Sequence, residues 1–198
     1  MKHGGSLGLN RCPHCNVAKP NMAAQVHFVT ENDRGDARRD WRAYACQTCG
    51  GAVLAVTIAP NHGVEYDIQH VWPSERRVDE SIPERARSFL EQSIASVHAP
   101  AGAVMLAASA VDAMLKDKGF KAGNLYKRID EAKDQHLITP EMAEWAHEVR
   151  LEANDQRHAD EEAPLPSDAD AGRVIEFAVA LAQFLFVLPA RIDRGRKK

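Results

Sequence analysis

Cys12-Pro13-His14-Cys15 and Cys46-Gln47-Thr48-Cys49 decide the reading of this chain, because they hold its only four cysteines. Two residues between partners let both sulfurs of a tight turn reach one metal ion. Two such turns complete the tetrahedral four-thiolate set that zinc favours. A closed thiolate shell leaves no open coordination position, so the expected zinc is structural and not hydrolytic. His14 and His27 are alternative ligands, yet Cys12, Cys15, Cys46 and Cys49 already fill the shell. The spacing admits iron as well as zinc. In an exported chain the same cysteines would instead form two disulfides.

Outward from the knuckles the pattern is that of strands. Val26, Phe28 and Thr30 alternate with His27 and Val29, and a polar turn follows at Glu31 to Asp36. Trp41, Ala43 and Ala45 alternate again toward the second pair, and branched residues fill Val53 to Ile58. A further strand is expected over Val64 to Val71. Asn16 follows the first cysteine pair and Gly50 the second, and both residue types tolerate the left-handed backbone that aims amides at sulfur. The expectation for residues 1–73 is a small antiparallel zinc ribbon, too small to be stable without its ion. Seven Lys or Arg stand against six Asp or Glu there, with Arg34, Arg38, Arg39 and Arg42 around Trp41. That cluster reads either as a modest anion-binding surface or as a solvated hairpin tip.

From residue 74 to 198 the period becomes helical. Ser81 or Ile82 opens a first helix to about Val97, and a second runs from Pro100 to Lys118 and stops at Gly119. Asn124 caps a third through Gln135, and Thr139-Pro140 starts a fourth that continues to about His158. Ser167, with Asp170 three residues on, caps the last helix. Its apolar residues from Val174 to Leu188 run nearly all the way round, as in a central or interface helix. The fold class expected is therefore α+β: a zinc ribbon, then an all-α bundle of about five helices.

Bulk composition narrows the function. The chain has 198 residues, 44% apolar and 27% charged, with a formal charge of -3, which removes the strongly basic signature of many nucleic-acid binders. Met1 to Asn10 has no apolar segment, and the run from Val174 to Leu188 is broken by Glu176 and Gln183 and closed by Pro189. These features predict a cytoplasmic protein with no membrane association.

One strip of the fourth helix carries chemistry. At 100° per residue Arg150, Asn154 and His158 span about 80° of its surface, beside the apolar stripe of Met142, Ala146, Val149 and Ala153. A guanidinium grips phosphate through paired hydrogen bonds and an imidazole moves protons near neutral pH, a set suited to metal-free phosphodiester cleavage. Alternatively, Arg150 and His158 hold the helix end to the following loop, with Asp155, Asp160, Glu161 and Glu162 as ion-pair partners.

At these residues the chain resembles the bacterial family called domain of unknown function 4145. The likeness lies in the paired-cysteine ribbon, Ile82-Pro83, Leu115-Lys116-Asp117-Lys118-Gly119, Leu125-Tyr126-Lys127-Arg128-Ile129, Ile138-Thr139-Pro140 and the segment Arg150 to His158. That family looks like a branch of the HEPN superfamily of helical bundles, found in toxins, phage-defence proteins and restriction systems. Active members are metal-independent endoribonucleases that pair as homodimers through the bundle. The resemblance implies that Arg150 stabilises RNA phosphate, His158 acts as general acid or base and Asn154 positions one of them. Inactive HEPN bundles imply a second role, a non-catalytic dimerisation module whose ribbon recruits a protein or nucleic-acid partner. The chain departs from the pattern in the seven residues between Arg150 and His158, a wider gap than active members show. Ala153 stands where the family often has glycine, and Ser109 to Asp112 where arginine is common.

Overall fold

The computed structural model describes residues 1–58, 67–74, 78–158 and 164–196. The chain divides into two compact units, Met1–Arg76 and Arg77–Lys198. The first is a five-stranded antiparallel sheet in sequential order, β1 (Ser6–Leu7), β2 (Met22–Thr30), β3 (Arg39–Cys46), β4 (Ala52–Ile58) and β5 (His70–Trp72). Sequential order needs only hairpin connections, which short polar turns supply. The expected strand over Val64 to Val71 falls partly on residues outside the described set, and its described part places β5 at His70–Trp72.

Register sorts the side chains onto two faces. Tyr44, Cys46, Val53 and Ala55 point into a small core with Leu7, Cys12 and Met22. The opposite face pairs Phe28 with Trp41, Trp41 with Val56, and Leu54 with Trp72. Phe28 and Trp41 lie parallel at 6.1 Å, Trp41 and Trp72 meet at 5.8 Å, and the indole N–H of Trp41 donates to the Thr30 hydroxyl at 2.8 Å. Register also divides the expected arginine cluster, because Arg42 shares the face opposite to Trp41 and donates to the Gly4 carbonyl at 2.9 Å. Arg38 is paired with Glu31 at 3.0 Å, so the four arginines do not form one anion-binding patch.

The second unit is helical: α1 (Glu84–Ala95), α2 (Pro100–Asp117), α3 (Leu125–Asp134), α4 (Pro140–His158) and α5 (Asp168–Ala182). Asn124 accepts from the Lys127 amide, and the Thr139 hydroxyl accepts from Met142. Ser167 and Asp170 form a reciprocal capping box at the start of α5. The core gathers Leu90 from α1, Val104, Val111 and Met114 from α2, Ile129 from α3, Val149 from α4 and Phe177 from α5. α2 touches α1, α3, α4 and α5 and is the central element. Its alanines at 103, 107, 110 and 113 let neighbours approach closely.

The last helix continues past Pro189, where the apolar run closes. A wide turn, Gln183–Val187, carries it into α6 (Leu188–Arg196), with the Leu188 N–H bonded to the Gln183 carbonyl. The extra residue in that turn opens the ladder where the proline ring would strike the carbonyl of Leu185. The resulting 29-residue rod, Asp168–Arg196, is long and apolar enough to cross a membrane by length and composition, its most apolar 18-residue window having mean hydropathy 1.8. The expectation of a run too short for a span is corrected to that extent. Of the apolar window, 56% is buried inside the protein, and Val174, Phe177, Leu181 and Leu185 belong to the core.

Candidate metal centre and polar helix strip

Two turns of identical hydrogen bonding build the cysteine site. In the first, the Cys12 amide donates to the Val17 carbonyl at 3.0 Å and the Asn16 amide to the Cys12 carbonyl at 2.9 Å. In the second, Cys46 donates to Gly51 at 2.9 Å and Gly50 to Cys46 at 2.8 Å. Each closes through a left-handed residue, Asn16 at φ 58° and Gly50 at φ 72°. The first turn precedes β2 and the second joins β3 to β4, and pairing of Met22 with Cys46 brings the two together.

All four sulfurs lie within 4.8 Å of one another, and Cys12 Sγ and Cys49 Sγ are 3.9 Å apart. A tetrahedron with ~2.3 Å metal–sulfur bonds has edges of about 3.8 Å, so the donors fit one thiolate-bound ion. The four are free thiols, and 3.9 Å is far beyond a disulfide length. The Gly51 amide faces Cys49 Sγ at 3.4 Å. Neither histidine belongs to the cluster. His14 Nε2 lies 2.8 Å from the Ala52 carbonyl, and His27 Nε2 lies 2.7 Å from Asp40.

Electrostatics show what the cluster needs. Burial opposes ionisation of Cys46, but the backbone amides of Cys49 and Thr48 and the thiols of Cys12 and Cys49 outweigh it and bring it down to about 6. Burial first, and then the sulfurs of Cys49 and Cys12, push Cys15 up to about 12. A divalent ion supplies the charge under which all four ionise. Bound there, it would close the two turns and do no chemistry of its own, since four thiolates leave it no free position.

The strip on α4 is built differently. Arg150 is half-buried with its guanidinium 5.3 Å above the Tyr126 ring, and its Nε has no acceptor among the described residues. Asn154 and His158 are exposed. None of the three forms an ion pair among the described residues, and Asp160, Glu161 and Glu162 lie outside that set. His158 lies eight positions after Arg150, about 12 Å along the axis, and helical side chains lean toward the N-terminus. Arg150 thus leans away from His158 and onto α3.

Sequence reasoning missed the group that holds Arg150. The Tyr126 ring packs on His147 at 4.8 Å, and His147 Nε2 lies 3.3 Å from Asp130. Asp130 also pairs with Lys133 at 3.3 Å. Burial would raise the Asp130 pKa, yet His147 and Lys133 hold it below the ordinary carboxylate value. The available signal was spacing: Tyr126 and Asp130 four apart on α3, facing His147 and Arg150 three apart on α4.

Comparison with known proteins places the helical unit. No curated protein and no solved structure matches the chain. One family does, over residues 91–198, which excludes the cysteines and takes in the end of α1 and everything after it. The match covers more than half of the sequence, so the chain belongs to the family described as Domain of unknown function (DUF4145).

Proposed function

We propose that the cysteine unit holds one structural zinc ion in the reducing cytosol, and that the helical unit acts on RNA without a catalytic metal. In this reading Arg150 holds a phosphate oxygen, Asn154 fixes the strand or an imidazole, and His158 moves the proton. The 2′-hydroxyl loses its proton to one imidazole and attacks phosphorus. The P–O5′ bond breaks, and a second imidazole protonates the departing oxygen. The products are a 2′,3′-cyclic phosphate and a 5′-hydroxyl. The single supporting observation is Arg150, packed on Tyr126 with an unanswered N–H and no carboxylate beside it among the described residues. A cation pre-oriented and left unneutralised suits an anionic substrate.

The long gap between Arg150 and His158 calls for a second copy of the chain to complete the site. Phe184, Leu188 and Ile192 support pairing, since they form an exposed apolar stripe at 43%, 51% and 50% along the last rod. A role in phage defence or as a toxin is the setting we propose for such an activity. The test is incubation of mixed RNA with the protein in EDTA, beside Arg150→Gln and His158→Ala. Cleavage by the unaltered chain that disappears in both variants supports the reading, and equal products from all three remove it.

A second reading has its own observation. The aromatic sheet face of Phe28, Trp41 and Trp72 leaves Phe28 42% and Trp72 46% exposed. It favours a non-catalytic dimer whose cysteine unit recruits a protein or nucleic-acid partner. Absence of RNA cleavage together with a stable dimer would select it.

A further inference from the structure

The ends of three helices and the middle of a fourth enclose a cavity of about 350 Å³ in the helical unit. Among the described residues four cations line it, Arg85 of α1, Lys116 of α2, Arg128 of α3 and Arg157 of α4, against the single carboxylate of Asp112. Arg128 is 8% exposed. Its Nη1 meets Asp112 at 2.7 Å, and its Nη2 donates to the carbonyls of Lys121 and Gly123. Asp112 also binds Lys116 at 2.5 Å. One carboxylate thus serves two cations, and the buried Nε of Arg128 has no acceptor among the described residues. Arg85 and Arg157 are exposed and have no anionic partner among the described residues.

Surplus positive charge in a concave, partly apolar site focuses the field on an anion. Arginines in this number fit the oxygens of phosphate better than a lone carboxylate. The cavity is several times larger than an orthophosphate ion and falls in the ~300–1,000 Å³ range of small-molecule sites. Phe89, half-buried at its wall with Arg85 5.8 Å over the ring, gives a flat apolar surface next to the charge.

We propose that this cavity binds an organic phosphomonoester, its dianionic head on Arg85, Lys116 and Arg157 and a flat apolar body against Phe89. Asp112 and Arg128 hold the frame. The site shares no residue with Arg150, Asn154 and His158 and stands whether or not RNA is cleaved. Such a head occurs on free small molecules and on the 5′ end of an RNA, and the test separates the two.

The full metal-loaded chain is titrated calorimetrically with phenyl phosphate, phenol, inorganic phosphate, and a short RNA with and without a 5′-phosphate. Phenyl phosphate is expected to bind at least tenfold more tightly than inorganic phosphate or phenol. Its affinity should fall as pH drops through about 6, where the head regains a proton. Arg85→Gln combined with Arg157→Gln removes two exposed side chains, so the fold survives (checked by its melting curve) while affinity drops at least tenfold. Tenfold preference for the 5′-phosphorylated RNA assigns the head to an RNA end, and no preference assigns a free small phosphate. Phenyl phosphate failing to bind, binding no better than inorganic phosphate, or binding the double variant equally overturns the proposal.

Discussion

Gly51→Ala is the smallest change that tests how the second cysteine turn is packed. A Cβ added at Gly51 would lie 2.5 Å from two ring carbons of His14 and 2.9 Å from its Cβ. Those distances are well inside van der Waals contact, and the obstruction includes the root of the side chain. His14 is also held in place, with Nε2 2.8 Å from the Ala52 carbonyl. Relief requires the imidazole to rotate away and the turn between Cys12 and Cys15 to move with it. Overpacking of this kind costs about 1–3 kcal/mol, and the lost hydrogen bond about 0.5–1.5 kcal/mol more. Because metal binding and folding of so small a unit are linked, the cost, about 2–4 kcal/mol, emerges as metal affinity. At 1.4 kcal/mol per tenfold, zinc should bind roughly 30- to 1,000-fold more weakly, read by competition with a chromogenic chelator. His14→Ala in the same chain removes the obstruction and should restore most of the loss, a coupling that a double-mutant cycle resolves. Unchanged affinity in Gly51→Ala, or no rescue by His14→Ala, would refute the packing argument.

Three further outcomes follow from the helical unit. Phe177→Ala removes a ring 1% exposed that packs on Trp145 at 5.0 Å, and should lower stability in denaturant melts by about 3–5 kcal/mol. Arg128→Met strips Asp112 of one partner and should cost about 2–4 kcal/mol in the same melts, less than a fully buried pair because Lys116 still answers the carboxylate. Asp170 is held below the ordinary carboxylate range by the Ser167 amide and hydroxyl. A depressed folded pKa stabilises above the unfolded value near pH 4 and is lost as pH falls through the folded one. The acid side of the helical CD titration should therefore flatten in Asp170→Asn.

How much of this was legible in the sequence depends on whether the signal was local. Two residues between cysteines, Asn16 and Gly50 after them, and caps at Asn124, Thr139 and Ser167 are short-range rules, and the structure follows each. The strand β1 was not legible, because Ser6–Leu7 is held by pairing with Met22 and Ala23 and has no pattern of its own. The first helix starts at Glu84, after an extended Pro83, and not at Ser81 or Ile82, since proline disfavours helix in the residue before it. Continuation past Pro189 rests on the wide turn, which no local preference marks. Cross-helix contacts were hidden for the same reason. The Tyr126 shelf under Arg150 and the cavity shared by Arg85, Asp112 and Arg157 join residues far apart in the chain.

The most direct measurement is the mass of the native, folded chain set against its denatured mass, with elemental analysis of the same sample. The account predicts one zinc ion per chain, four thiols that resist alkylation until a chelator is added, and no bound metal once Cys12 and Cys46 are both serine. A well-folded chain carrying no metal, or one whose native mass shows the two hydrogens of each disulfide missing, would contradict it.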